Sequence, residues 1–252
     1  MKYLGVDGCP AGWIAVTKHR GKLIYKICAN ATDLVAAFPD AKSILIDIPI
    51  GLPWREMPTR ACEPRARQVL GPRRSSVFSV PCREAAHAAT VADARAANIA
   101  ELGKSLSAQS WNICNKIAEV DLLLRDKKLQ KVVREVHPEL CFWGLAGGVP
   151  MHFGKKSPEG RAERLAVLSR FEPKTQKLLN LVLQEQLRAT VQADDVLDAV
   201  VAFVVATAKP GDQTTLPEKP SVDQQGLRME MVYAHLAHGH RRFFKRSRSL
   251  LQ

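Results

Sequence analysis

The sequence predicts an α/β domain whose sheet mixes antiparallel and parallel strands. Two observations carry that expectation. Three short β-leaning runs, Tyr3–Val6, Gly12–Lys18 and Leu23–Cys28, follow one another across turn signals at Gly8/Pro10 and Arg20-Gly21, the pattern of an antiparallel meander. A helical stretch then separates them from Ser43–Ile48, a nearly continuous apolar run of the kind carried by a strand buried on both faces. The order β-β-β-α-β requires both kinds of pairing.

The remaining elements follow in order. The Arg20-Gly21 turn reads as a tight hairpin. Thr32 is the expected N-cap of a short helix that runs to Phe38 and stops at Pro39-Asp40. Residues 52–80 are rich in Pro and Arg and show no period. Residues 83–128 read as helical, Ala-rich at first, then with apolar residues at helical spacing from Ser107 to Arg125. Val132–Val136 is a short strand, 144–160 a Gly-rich loop, and 159–170, 174–188 and 194–208 are helices. Residues 209–226 read as a Pro/Gly linker and Leu227–Ala234 as a late strand or helix. A basic tail at about 240–252 carries Arg241, Arg242, Lys245, Arg246 and Arg248. It reads first as a solvated tail and second as a nonspecific nucleic-acid contact. There is no internal repeat, and residues 1–252 are taken as one domain.

Composition bounds the function. A chain of 252 residues, 46% hydrophobic and 25% charged, is long enough to bury a core without disulfides or a structural metal. Lys and Arg number 37 against 25 acids, a formal net charge of +12, which favours a polyanionic partner such as nucleic acid. The six cysteines are scattered with no C-x-x-C pair, which argues against a zinc site of paired thiolates. Asp7 interrupts any N-terminal apolar segment, and the run Val196–Ala208 is too short to span a bilayer and contains Asp198. No membrane contact is expected. The expected location is the cytoplasm, with thiols reduced.

Acids stand where acids are costly. Asp7 ends the first strand and Asp47 lies inside Ile44-Leu-Ile-Asp-Ile48. An ionised carboxylate buried without compensation costs several kcal/mol, so two on neighbouring strands need a shared counter-charge, for which a divalent cation is suited. Taken singly, each acid is also explained by a strand-end hydrogen bond or an Arg partner. Asp194, Asp195 and Asp198 open a late apolar helix at spacings that share one face. An N-cap role explains Asp194 or Asp195, but Asp198 lies a turn further in and points either to solvent or to the same cluster. Glu135, on the Val132–Val136 strand, is a further candidate, with Glu139 just beyond it.

These acids, a meander Asp, an acid on the next strand after a helix, and D-x-x-D-A on a late helix, resemble the ribonuclease H-like fold, in the variant of Holliday-junction resolvases. More closely, the chain resembles the domain of unknown function 429 family, predicted to be ribonuclease H-like nucleases. The matching stretches are Gly5-Val-Asp-Gly-Cys-Pro-Ala-Gly-Trp13, Asp47-Ile-Pro-Ile-Gly-Leu-Pro53, Arg67-Gln-Val-Leu-Gly71, Ser75-Ser-Val-Phe78, Glu135-Val-His-Pro-Glu-Leu-Cys-Phe142 and Asp194-Asp-Val-Leu-Asp-Ala199. The resemblance implies a mixed five-stranded sheet of order 3-2-1-4-5, flanked by helices, with a mostly helical insertion over about 52–130 between strands 4 and 5. It implies a divalent-metal-dependent nuclease.

Two cations about 4 Å apart, bridged by carboxylates, clamp both oxygens of an in-line displacement at phosphorus, and hard carboxylate ligands suit Mg²⁺ or Mn²⁺. Asp7 is the expected bridging ligand. Asp47 and Asp195 complete the two sites, and Asp198 or Glu135 fills a remaining position. No protein nucleophile is needed, and no G-x-S-x-G or Cys–His pair is evident.

Substrate contacts are expected from Arg67, Arg73, Arg74, Ser75 and Ser76, in a segment that also holds Arg55, Arg60 and Arg65, and from Lys155 and Lys156. Trp54, Phe78 and Trp111 are able to stack on unpaired bases or to sit in the core. His137 reads as a proton shuttle or a packed histidine. His235, His238 and His240 do not share one helical face, which argues against a metal there. Two other readings stand beside the nuclease: a non-catalytic nucleic-acid binder on the same fold, and an actin-like ATP-dependent phosphotransferase, for which the chain is short and lacks a second Gly-rich hairpin.

Overall fold

The structure, a computed structural model, describes residues 2–235. The basic tail and His238 and His240 lie outside the described residues. Strands β1 (Lys2–Cys9), β2 (Gly12–His19) and β3 (Lys22–Cys28) pair antiparallel. Arg20 and Gly21 alone connect β2 to β3, at φ 47° and 76°, the left-handed pair that matches the twist of a two-residue hairpin. Helix α1 (Ala31–Ala37) leads to β4 (Ala41–Ile46), parallel to β1. The cap of α1 is Asn30, not Thr32: the Asn30 side chain accepts from the Asp33 amide, and Thr32 already lies inside the first turn.

β5 (Val133–Glu135) pairs parallel to β4 and completes a five-stranded sheet of order β3-β2-β1-β4-β5. The segment between β4 and β5 is helical: α2 (Cys62–Leu70), a 3-10 turn over Gly71–Ser76, α3 (Arg83–Ala86), α4 (Val91–Leu102), α5 (Ala108–Asn112) and α6 (Cys114–Leu123). The sequence gives no period in 52–80, yet α2 forms there. Cys62, Ala66 and Leu70 bury one stripe at intervals of four, and Pro64 falls in the first turn, where its missing N–H is harmless.

Helices α7 (Pro138–Leu145), α8 (Pro158–Ser169), α9 (Thr175–Glu185) and α10 (Ala193–Ala206) follow. Residues 209–226 are not a linker: β6 (Gln213–Val222) pairs with β7 (Arg228–Ala234), and a Val136–Val232 bridge ties β7 to the end of β5. The prolines that argued against a strand, Pro217 and Pro220, sit where the β6 register shifts between Leu216 and Ser221 and demand no ladder donor.

One apolar layer packs the sheet against α7 to α10, and a second packs it against α1 and α6. Helix α10, buried from Asp195 to Ala206, lies directly on β1. The contact is backbone to backbone: a Cβ at Gly5 would stand 2.0 Å from Phe203 N and 2.1 Å from Ala199 O. All six cysteines are buried and free. Among the described residues no helix is long and apolar enough to cross a membrane.

Candidate functional site

Parallel pairing sets Asp7 beside Asp47. Val6 is the register partner of Ile46, and the Asp47 N–H donates to the Val6 carbonyl at 2.9 Å. Side chains 5 and 7 of β1 share the face on which α10 lies, and Asp198 sits just before the Ala199–Phe203 backbone that touches Gly5. Asp7 and Asp198 are 6% and 1% exposed. Burial, reinforced by Asp47 and Asp198, holds the Asp7 carboxyl well above the usual carboxylate range. Burial also raises Asp198, to about 6, against the pull of Lys155. Asp47 is raised by burial while His137, Lys155 and a hydrogen bond with Asp7 oppose the rise. Lys155, on the loop after α7, supplies compensating charge, with Nζ 2.6 Å from Asp198 Oδ2 and 3.6 Å from Asp194 Oδ2.

A cavity of about 290 Å³ opens beside Asp47, Asp198 and Lys155. Asp47–Pro49 and Val136–Glu139 line it, so it lies at the carboxyl ends of the parallel strands β4 and β5, where open α/β sheets bind ligands. The 3-10 turn contributes Arg73 and Ser76, and Phe78 follows. Asp198 Oδ1, Glu139 Oε2, His137 Nδ1 and Arg73 Nε are buried without a hydrogen-bond partner, and all four residues line this cavity. Arg73 Nε faces Glu139 Oε2 at 3.7 Å, and the other Glu139 oxygen accepts from buried Arg164.

One family model, described as "Protein of unknown function (DUF429)", matches residues 5–222, a stretch that holds all of these acids. The chain belongs to that family. No curated protein and no solved structure matches it.

In this DUF429 chain the other expected site residues are placed as follows. Asp195 is N3 of α10, and its carboxylate accepts the Gln192 N–H at 2.8 Å in a capping box, so one oxygen is spent on starting the helix. Burial lifts it to about 6, and its charge still acts on Asp7. Glu135 borders the cavity, but its carboxylate is engaged elsewhere. Fully buried Arg60 donates to both its oxygens, at 2.6 and 2.9 Å, and the Ile50 N–H adds a third bond. Arg60 also meets Glu63 and the carbonyls of Ile50 and Gly51, so it is a core ion pair rather than a phosphate contact. Arg67 donates twice to the Val77 carbonyl and pins the 3-10 turn. Ser76 Oγ donates to the Arg73 carbonyl. Arg74, Ser75 and Lys156 are exposed and do not line the cavity. Trp54 and Trp111 are half-buried, and Phe78 is exposed.

Glu139, noted from the sequence only as lying just beyond Glu135, is an acid to which the sequence assigns no role in the site. The signal available for it is Pro138, which stands at N1 of α7, where proline is favoured, and puts Glu139 in the first turn of that helix.

Asp7, Asp47 and Asp198 are donors of the type that suits a hard cation, they act on one another electrostatically, and Asp198 keeps a buried oxygen without a partner. With Lys155 among them, no group of three or more His, Cys, Asp or Glu side chains is arranged to hold a metal ion among the described residues.

Proposed function

We propose that the chain is a divalent-metal-dependent nuclease that hydrolyses nucleic-acid phosphodiester bonds in the cytoplasm. What supports the reading is that Asp7, Asp47 and Asp198, from β1, the end of β4 and α10, are buried and act on one another electrostatically, with Asp47 and Asp198 lining a cavity at the carboxyl end of the sheet. Burying three acids with one lysine leaves a charge deficit that a hard cation answers. Asp7, Asp47 and Asp198 would hold Mg²⁺ or Mn²⁺, with Asp195 as an outer support. When bound, the metal supplies stabilisation of charge on the phosphoryl oxygens.

The chain's own residues do the rest. Arg73 and Lys155 bring positive charge to the phosphate. His137 Nε2 lies 3.2 Å from the Ser76 carbonyl, so that nitrogen donates and Nδ1 is left to take or give a proton in the cavity. The net charge of +12 favours a polyanion. The test is cleavage of single strands, duplexes, hybrids and junctions with Mg²⁺ or Mn²⁺, with folded Asp7→Asn as control. Metal-dependent cleavage lost in Asp7→Asn supports the reading; none on any substrate sinks it.

A second reading, a nucleic-acid binder without catalysis, is favoured by the 2.6 Å Lys155–Asp198 ion pair, which compensates part of the acidic charge without a metal. It expects binding that neither Asp7→Asn nor a chelator alters.

A further inference from the structure

The lining of the cavity is of two kinds. Asp47, Asp198, Lys155, His137 and Glu139 are polar and perturb one another electrostatically. Val77, Val80, Ile113 and Met231 are apolar. Phe78 both lines the cavity and is 41% exposed, so its ring stands at the rim. A volume of about 290 Å³ lies at the lower edge of the ~300–1,000 Å³ of small-molecule sites and equals a cube roughly 7 Å on edge. A duplex offers something larger and differently dressed: a major groove about 12 Å wide between charged strands, held mainly through phosphates. A small cavity lined by apolar side chains as well as by a cluster of charged ones instead matches a base joined to its own phosphate.

Resting on the reading that the acidic cluster handles a phosphoryl group, we infer that the cavity admits one nucleoside monophosphate unit, with the base against Phe78 and the apolar side chains and the phosphate towards Arg73, His137 and Lys155. Such a unit is presented by the end of a single strand and by a free nucleotide. The unpartnered Arg73 Nε is a donor that a phosphate oxygen satisfies, and His137 Nδ1, the accepting nitrogen of the ring, can take a hydrogen bond from a protonated phosphate oxygen or a hydroxyl.

Calorimetric titration of the full chain with a nucleoside monophosphate, inorganic phosphate, and linear and closed-circular single strands of one sequence tests this. The monophosphate should bind at one site more tightly than phosphate. Phe78→Ala should weaken it about 10-fold, the scale of one lost base stack, and leave phosphate binding unchanged, while Phe78→Trp keeps the affinity. Phe78 is exposed, so these variants fold. If Phe78→Ala weakens the linear strand and not the circle, the ligand is a strand end; if it weakens neither strand, the ligand is the free nucleotide. A monophosphate that binds no better than phosphate, or that ignores Phe78→Ala, overturns the inference. Metal-dependent cleavage of circles without monophosphate binding overturns it and leaves the nuclease reading standing. Monophosphate binding with no strand cleaved does the reverse.

Discussion

Lys155 Nζ lies 2.6 Å from Asp198 Oδ2, and the same ammonium feels Asp7 and Asp47, which together hold it well above the ordinary lysine pKa. A lysine thus stands among the carboxylates that the proposed cation would use. Replacing it exposes the acids to one another. Lys155→Met should cost the metal-free protein about 1–3 kcal/mol, less than a fully buried pair because the lysine is partly exposed. Mn²⁺ should then raise the melting midpoint of Lys155→Met more than that of the parent. Equal metal-induced shifts would mean that lysine and metal do not compete.

Asp7→Asn removes an acid that burial holds well above the usual carboxylate range. Without metal at pH 7.5 it should stabilise the fold by about 1–3 kcal/mol, a few degrees in midpoint, while abolishing metal-dependent cleavage. A thermal melt and a cleavage assay on one preparation check both halves.

The pH dependence has a definite sign. Asp7, Asp195 and Asp198 have folded pKa values raised above the ordinary 3.8, the last two to about 6. The fold therefore favours their protonated forms. The stability they contribute is full below the unfolded value and is lost as pH rises through the folded one. Asp121 and Glu163 are lowered, by Arg83 and His87 and by the His152 and Phe153 amides, and their contribution disappears only at more acidic pH. Metal-free protein should thus melt higher at pH 5.5 than at pH 7.5, and Asp7→Asn should flatten that slope. An unchanged slope in the variant would remove Asp7 as its source.

Arg60→Met leaves Glu63 and Glu135 buried without their counter-charge, and should lower stability by about 3–5 kcal/mol in a urea titration. Glu135→Gln keeps hydrogen-bonding capacity and should cost less than half as much. It should leave metal-induced stabilisation intact, because Glu135 answers to Arg60 and not to the Asp7 cluster.

Gly5→Ala drives a methyl into the α10 backbone, which cannot give way as a flexible side chain does. The expected cost is about 3 kcal/mol. The shift of α10 should also pull Asp198 from Asp7, so metal-induced stabilisation falls along with the midpoint.

Much of this was legible in the residues. The β-β-β-α-β order follows from turn signals and from one apolar run, and Asp198 declared itself by standing a turn too deep in an apolar helix for a cap. What escaped depends on contacts between distant segments. Arg60 looked like one of many surface arginines because its partner, Glu135, is 75 residues away. β6 looked like a linker because its prolines are tolerable only next to a bulge. Asp195 shows the limit within one helix: spacing put it on the face of Asp198, yet the capping box claims one of its oxygens.

The ion pairs and hydrogen bonds that leave the insertion also determine what kind of segment it is. Arg60 answers an acid of β5, Arg83, held by Asp121 within the insertion, also pairs with Asp223 of the β6–β7 turn, and Glu119 of α6 accepts a hydrogen bond from Trp13 of β2. Such a segment cannot be excised like a decoration or transplanted as a cassette. A chain spliced across residues 53–130 would retain every strand of the sheet, yet Glu135 and Asp223 would lose their guanidinium partners. Any exchange of this segment between relatives has to carry its distant acids with it, so substrate preference, if it resides there, is inherited together with the stability of the sheet.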